Sequence, residues 1–476
     1  MAAKAAYDKG EGTAKLKRNL SPVNVWALAL GCIIGWGAFV MPGNKFLLSA
    51  GPLGTAIGMA FAALVMTVIA FNYNYMINTY PETGGEFAFA RNAFGRNHAF
   101  ICSWFLGLSY LAIVALNASA LALLGRNLLG NVFQFGFHYT VAGYDLYCGE
   151  LLLAVAAILL FAWVSIRGIK SSGIFQTALV FLLVGGVLVI TIAALFSPKA
   201  TVANLSPAFP PGSAPIAGIL AIMAIAPWTF VGFDTVPQAA EEFNFKPRKT
   251  KAIMIVSILF GALVYVLLNT VSAAVVPAGY SNWTEYISDI PNLRGLESLP
   301  TFHAAKALLG NAGLVFLGLS VLAAILSGIV GFYMATSRLL FAMARDRFLP
   351  AWFAQIHPKY GTPRNAIIFV MVCSLVASFF GRTALNWIVD MSAIGAAIGY
   401  GYTSAAAMLQ ARKEGRTWLV ASGAAGVLLS IFFCVILLIP IKGLDCCLGK
   451  EGYICLAVWT VLGLVFYLST RRGKEE

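Results

Sequence analysis

Charged residues are scarce in this chain. Only 11% of its 476 residues are Asp, Glu, Lys or Arg, whereas 60% are hydrophobic and the mean hydropathy is +0.82. Soluble domains carry about 25% charged residues. Because no water-soluble core could bury so much apolar sequence, the composition excludes an ordinary soluble protein and predicts that lipid is the main solvent.

The motifs of catalysis and metal binding are missing as well. The chain has no CxxC pair, no Ser-His-Asp order, no Walker loop and no haem motif. These absences argue against an enzyme, ATP as the energy source and a metal cofactor, and they leave coupling to protons or sodium open. Cys148, Cys446 and Cys447 are predicted to share the outer side, where a bridge from Cys148 to one of the other two is an alternative to free thiols.

What the chain does have is a series of long apolar runs. A helix needs about 20 such residues to span a bilayer. The runs are continuous rather than alternating, which favours helices over the strands of a closed barrel. The sequence therefore predicts an all-α polytopic membrane protein with twelve transmembrane helices. They cover 23–48, 52–77, 98–125, 150–166, 173–196, 215–240, 252–276, 308–337, 366–380, 385–409, 418–440 and 453–469.

Lysine and arginine are unevenly distributed between the loops. If the N-terminus is cytoplasmic, 24 of the 32 Lys and Arg residues fall inside and 8 outside. This positive-inside bias predicts that both termini are cytoplasmic. We also expect the protein to lie in the plasma (inner) membrane. The net charge of +13 then requires no nucleic-acid partner. The first 20 residues are polar and basic, so we expect no cleaved signal peptide.

Two of the apolar runs are interrupted near the middle of the membrane. The first contains Gly35 and Gly37, and the sixth contains Pro227 and Gly232. Because they lie five helices apart, each begins a five-helix set, and an odd number of helices inverts the second set. Glycine is also common in membrane helices as a packing residue. Paired breaks at corresponding positions instead indicate a transporter site, where free N–H groups suit a carboxylate and free carbonyls suit an ammonium.

At these breaks the chain resembles the amino acid–polyamine–organocation superfamily of transporters. The stretch 33–39 (Ile-Ile-Gly-Trp-Gly-Ala-Phe) is similar to the helix-one break of that family, and residues 81–95 and 336–350 resemble its inner loop and the end of its helix eight. The stretch 228–234 (Trp-Thr-Phe-Val-Gly-Phe-Asp) looks closest to the arginine/agmatine-type exchangers.

The resemblance implies a LeuT-like fold and a set of site residues. Inverted five-helix repeats would cover 22–197 and 213–410, with two extra helices at 416–470, in a transporter domain 21–470 flanked by tails 1–20 and 471–476. The N–H groups of Gly35, Trp36 and Gly37 would receive a substrate carboxylate, and the carbonyls of Ile33, Trp228 and Val231 its ammonium. The indole of Trp228 would gate the site. Ser109, Tyr110, Gly232 and Phe332 would complete the pocket.

The chain departs from the family pattern in three ways. Trp36 stands where a small residue is usual, and Val231 replaces a common glycine, so the site is narrow. Either the Trp36 ring points away or the substrate is small. Residues 171–198 lack the lysine that some proton-coupled relatives carry in helix five.

Asp234 is the one acid clearly within a predicted span. It either couples transport by binding a proton or a cationic substrate, or it caps the second half of helix six. Asp390 is read as a solvated or capping acid and Asn117 as an interhelical partner. Glu82 and Glu86 could form gate ion pairs with Arg91 and Arg96 or only weak surface pairs. The same two interpretations apply to Glu241 and Glu242, which lie beside Lys246 and Arg248.

The sequence thus predicts secondary transport of a small amino acid or derived amine by alternating access, as an exchanger or a proton symporter. A sodium site could use the hydroxyls of Ser320 or Ser327. The expected partners are the substrate and the lipid, with the chain a monomer or homodimer. An amine-selective channel and a membrane sensor are the alternatives, although neither a polar filter nor an output domain is evident.

Overall fold

The computed structural model describes residues 16–441 and 447–472. Helices dominate, and each of the twelve predicted segments coincides with helical structure. Among the described residues, eight helical stretches are long and apolar enough to cross a membrane. The helices are α1 (Pro22–Ile33), α2 (Gly37–Met41), α3 (Leu47–Thr79), α4 (Glu86–Phe94), α5 (Arg96–Leu129), α6 (Cys148–Arg167), α7 (Ile169–Phe196), α8 (Pro215–Ala224), α9 (Ala226–Thr229), α10 (Thr235–Gln238), α11 (Thr250–Ala274), α12 (Trp283–Asp289), α13 (Pro300–Arg345), α14 (Arg364–Ser378), α15 (Gly381–Lys413), α16 (Thr417–Leu438) and α17 (Lys450–Arg472).

Only eight helical stretches of the described residues, not twelve, reach the length and hydropathy of a membrane span, and the difference can be traced to particular segments. The first two predicted segments form one helical stretch, Pro22–Thr79. The sixth is divided into α8, α9 and α10, and the ninth is the short helix α14. The tenth, which lies in α15, is also not among the eight stretches found in the described residues. The division of the sixth segment coincides with the proline and glycine that the sequence places there.

A short β-hairpin in a loop is the part of the fold that the all-α prediction missed. Strands β1 (His138–Val141) and β2 (Tyr144–Tyr147) pair antiparallel. Ala142 and Gly143 both have positive φ, as a two-residue hairpin turn requires. The aromatic residues of both strands and the intervening glycine were the available signal.

Helix α1 begins at a capping motif in the sequence. The Ser21 hydroxyl accepts a hydrogen bond from the Asn24 N–H, and the Asn24 side chain accepts one from the Ser21 N–H. Pro22 follows the cap, at a position where its missing N–H costs nothing. The Asn24 amide also donates to the Gly173 carbonyl and the Thr177 hydroxyl, both at 3.0 Å, which fixes the start of α1 against α7.

Polar contacts between helices position the elements around the interrupted segments. The Ser327 hydroxyl of α13 donates to the Gly31 carbonyl of α1 at 2.8 Å. The Ser109 hydroxyl of α5 donates to the Ser392 carbonyl of α15 at 2.6 Å. In an apolar surrounding such bonds hold helices together, because an unpaired polar group would be costly. The broken segment α1–α2 packs against α11 and α13, and the broken segment α8–α10 packs against α13 and α15. Tyr110 of α5 reaches the second segment at Asp234.

Candidate functional site

The first interruption covers three residues between α1 and α2. Helix α1 ends at Ile33 and α2 begins at Gly37. Within the described part of the chain, the N–H groups of Gly35, Trp36 and Gly37 donate to no backbone or side-chain acceptor. Three free donors at the start of a half-helix form a site suited to an anionic group.

The second interruption offers the opposite chemistry. Helix α9 ends at Thr229, and α10 begins at Thr235. The carbonyls of Trp228 and Val231 accept no hydrogen bond from any residue in the described ranges. The Ile33 carbonyl of the first break accepts the Tyr265 hydroxyl at 3.1 Å. A carbonyl has two lone pairs, so Ile33 retains one for a further donor.

A cavity of about 700 Å³ lies between the two breaks. This volume is typical of small-molecule sites. Seven of the predicted site residues line it: Ile33, Gly35, Trp36, Gly37, Trp228, Val231 and Phe332. Ser109, Tyr110, Gly232 and Asp234 do not line it. The structure therefore brings the break residues to one cavity and places the other four predicted residues behind its wall.

The two tryptophans form part of the cavity wall rather than filling its interior. The Trp36 side chain is buried at 6% exposure and packs against Phe302, with ring centroids 6.5 Å apart. The Trp228 indole lies directly over Gly37, where an added Cβ atom would be 2.5 Å from Cη2 of that ring. Trp36 thus leaves the cavity open, and Gly37 is small because the indole occupies the adjoining space.

Several polar cavity residues were missed or were read differently from the sequence. Tyr265 joins Asn117 at the wall, and α15 contributes Arg382, Asn386 and Asp390. These three α15 residues are spaced four apart and so share one helical face. That spacing was the signal for a polar stripe on α15. Asp390 and Asn117, predicted as a capping acid and an interhelical partner, both line the cavity.

Asp234 is fully buried beside the cavity. Its carboxylate accepts the Gly232 N–H at 2.7 Å and the Tyr110 hydroxyl at 3.0 Å. It occupies the N-cap position of α10 but makes no capping hydrogen bond through its side chain. The capping interpretation is therefore not what the geometry shows, because the carboxylate folds back to the residue two positions earlier.

Glu86 lies in a second buried polar group, near Asp234. Its carboxylate accepts the Tyr73 hydroxyl at 2.8 Å and the Gln238 amide at 2.6 Å. No Lys or Arg in the described ranges lies within 4 Å of it, so the predicted pairing with Arg91 or Arg96 does not form. Burial, and secondly the charge of Asp234, raise the pKa of Glu86 well above its ordinary value.

An ion-pair cluster joins α4, the end of α10 and the end of α13. Arg91 contacts both Glu82 and Asp346. Glu241 pairs with Arg345 and Glu242 with Arg338, both from α13, instead of with the nearby Lys246 and Arg248. Glu241 and Glu242 thus pair with arginines of another helix rather than with cations near them in the sequence. This inner ion-pair cluster lies on the predicted cytoplasmic side, opposite the outer wall of the cavity.

The cysteine prediction is answered only in part. Cys148 and Cys447 are free thiols in the structure, so they form no bridge with each other. Cys446 lies outside the described residues.

Comparison with known proteins matches this architecture to one family. The amino acid permease family profile covers residues 20–466. The chain belongs to the amino acid permease family. It is accordingly an all-helical, multi-span membrane protein of a transporter family and not an enzyme, and the family implies the LeuT-like fold.

The individual relatives have low sequence identity to this chain, and their names state different substrates. The methylthioribose transporter of Bacillus subtilis (strain 168) is 28% identical over 80% of this chain and 79% of its own length. The branched-chain amino acid permease BcaP of the same organism is 26% identical over 98% and 95%. The vacuolar cationic amino acid transporter 4 of Arabidopsis thaliana is 27% identical over 78% and 60%. They do not support the finer resemblance of helix six to the arginine/agmatine exchangers.

Proposed function

We propose that this permease moves a small amino acid or derived amine by alternating access, through the cavity between the two broken helices. The observation that carries this proposal is the pairing of three free N–H groups, on Gly35, Trp36 and Gly37, with free carbonyls on Trp228 and Val231 across one cavity. A zwitterion presents a carboxylate and an ammonium a few ångströms apart and so matches both sets. The names of the relatives, which include a branched-chain amino acid permease, favour the same class.

The arrangement of polar groups around the cavity supports alternating access. The inner ion-pair cluster closes one side, while Asn44, Asn386 and Asp390 are exposed along the cavity on the other. With cytoplasmic termini, as the positive-inside bias predicts, this is an outward-open arrangement. Transport then requires the cluster to separate as the outer side closes.

Proton coupling is the favoured energy source, with Asp234 as the proton-binding group. Its carboxylate bridges the second break, through Gly232, and α5, through Tyr110. Protonation would weaken both hydrogen bonds, because a neutral carboxyl is a poorer acceptor. Loss of these contacts would loosen the break, which links proton binding to rearrangement of the site. Asp234 does not line the cavity, so direct pairing with a cationic substrate is less well supported.

Two measurements test the proposal. A thermal-shift screen of purified protein with amino acids and amines should reveal a binder, since ligands stabilise the state they bind. The best binder should then show saturable uptake into proteoliposomes that is stimulated by counter-flow. Single-channel conductance without saturation would overturn the transporter assignment.

The variant D234N should lose the pH dependence of uptake, and a wild-type pH profile in that variant would remove Asp234 from coupling.

A further inference from the structure

Arg382 is a charged residue of the cavity that the proposed function leaves without a role. Arg382 lies in the first turn of α15 and lines the cavity together with Asn386 and Asp390. A cation in the first turn of a helix opposes the helix dipole. Arg382 therefore does not stabilise α15 through its position.

The guanidinium of Arg382 is only partly satisfied by the protein. Nη1 donates to the Leu116 carbonyl at 3.4 Å and to the Ser119 hydroxyl at 3.2 Å. From the residues that the structure describes, Nε and Nη2 have no acceptor, and no carboxylate lies within 4 Å of the group. An arginine has five N–H donors, and its Nε–Nη2 edge is the side that binds a carboxylate through two parallel hydrogen bonds.

The Arg382 charge lies beside the side chain of Trp36. The Arg382 guanidinium carbon is 5.8 Å from the centre of the Trp36 ring, a distance at which the ring attracts a cation. Trp36 also supplies one of the three free N–H groups of the first break. Asp390 lies two helical turns further along α15 and Lys45 also lines the cavity, so the lining holds two cations and one acid.

We infer that Arg382 binds a carboxylate of the substrate at the outer wall of the cavity. This inference rests on the proposed function and narrows it, because it makes the substrate an amino acid rather than a simple amine. A partly buried arginine without an anion is costly in a membrane protein. A substrate carboxylate on the Nε–Nη2 edge would compensate that cost in the loaded state. The carboxylate belongs either to the amino acid main chain or to an acidic side chain.

The test compares three probes that differ in carboxylate content. L-leucine has one carboxylate, L-glutamate has two, and 3-methylbutylamine is leucine without its carboxylate. Their affinities are measured by thermal shift on wild-type protein, R382Q and R382K. R294Q is the matched control, because Arg294 is an exposed cation on the same predicted side and outside the cavity. Melting without ligand reports whether each variant folds.

R382Q should weaken carboxylate binding by about tenfold or more, the scale of a lost charge-assisted pair. Binding of 3-methylbutylamine should stay within about twofold, since it makes no contact with the lost group. Loss for leucine and glutamate together assigns the main-chain carboxylate, and loss for glutamate alone assigns the side chain. R382K should be intermediate because it keeps the charge but not the two-pronged geometry. It also serves as the decisive variant if R382Q does not fold.

Three results would overturn the inference and leave the proposed function intact. One is an equal loss for the amine and the amino acids, which indicates a structural role for Arg382. Another is unchanged affinity for leucine and glutamate in R382Q. The third is wild-type protein that binds the amine and neither amino acid. By contrast, if no amino acid or amine in the wider screen stabilises the wild-type protein, the proposed function itself fails.

Discussion

Gly232 of the second break lies against the backbone of Ile33 in the first. A Cβ atom at position 232 would be 2.6 Å from the Ile33 nitrogen and 2.7 Å from the Cys32 carbonyl carbon. Gly232 also has φ +138°, a backbone conformation that residues with a Cβ atom rarely adopt. Direct contact between the two breaks therefore depends on this glycine, and Ile33 on the other side of the contact lines the cavity.

The first prediction is that G232A both destabilises the protein and abolishes substrate binding. The strained φ alone costs about 1–3 kcal/mol, and the neighbouring backbone cannot move away as a flexible side chain could. G279A is the matched control, because Gly279 has φ +102° with nothing within 4 Å of its Cβ position. Melting temperature and thermal shift with a bound amino acid measure the two effects. Equal losses in G232A and G279A would show that strain, and not the contact between breaks, is responsible.

Gly37 and Trp228 provide the second prediction. Because the Trp228 ring lies over Gly37, G37A should push the indole towards the cavity and cost about 1–3 kcal/mol, as overpacking does. The double variant G37A/W228L should recover stability relative to the sum of the single changes, with a coupling of about 0.5–3 kcal/mol. Thermal unfolding of the four proteins gives this coupling.

The control for this cycle is Gly35, two residues earlier in the same break. A Cβ at Gly35 would be no nearer than 4.0 Å to Asn117. G35A and W228L should therefore be additive. Strong coupling of Gly35 to Trp228, or additivity of Gly37 and Trp228, would contradict the observed packing.

Much of this architecture could be predicted from the sequence, because it depends on local signals. Apolar runs gave the helices, and Gly35, Gly37 and Pro227 marked the interruptions, since these residue types weaken a helix wherever they occur. The residues lining the cavity from both breaks followed from the same motifs.

The remainder of the site depends on distant parts of the chain meeting in space. Tyr265 reaches the Ile33 carbonyl from 232 residues away. Glu242 selects Arg338 over the nearer Lys246 and Arg248, a choice set by helix packing and not by spacing. Glu86 looked like a loop acid, and its burial became evident only from the way α4 packs between helices. Pairings of this kind leave no periodic signal in one sequence.

The third prediction contrasts two neighbouring acids of the inner ion-pair cluster. The Glu242–Arg338 side chains are 0% and 2% exposed, whereas the Glu241–Arg345 side chains are 20% and 23% exposed. Removing one partner of a buried pair leaves an uncompensated charge and costs about 3–5 kcal/mol. E242Q should therefore lower the melting temperature strongly, and E241Q should lower it much less, because solvent screens the partly exposed pair.

A double variant separates the ion pair from the packing around it. E242Q/R338M removes both charges, so it should be more stable than E242Q alone. If E242Q/R338M is instead the less stable of the two, Arg338 stabilises the fold through contacts other than Glu242. If E241Q and E242Q are equally destabilised, burial does not decide the strength of these pairs.

The fourth prediction concerns Glu86 and the pH dependence of stability. Since burial raises its pKa in the folded protein, the folded state holds a proton that the unfolded state releases as the pH rises above the ordinary value of 4.5. The free energy of unfolding therefore falls as the pH rises above 4.5, because the unfolded state then binds fewer protons than the folded state. The glutamine in E86Q keeps the size of the side chain and cannot ionise. E86Q should thus lose less stability than wild-type protein between roughly pH 5 and pH 8.

Melting temperatures measured in detergent across this pH range test the prediction. E451Q is the control, because Glu451 is an exposed acid at the start of α17 and the substitution is the same, glutamate to glutamine. The wild-type slope should persist in E451Q and flatten in E86Q. An unchanged slope in E86Q would mean that Glu86 is already ionised in the folded protein. In that case Tyr73 and Gln238, which both donate to its carboxylate, would have to stabilise the buried charge without a cation.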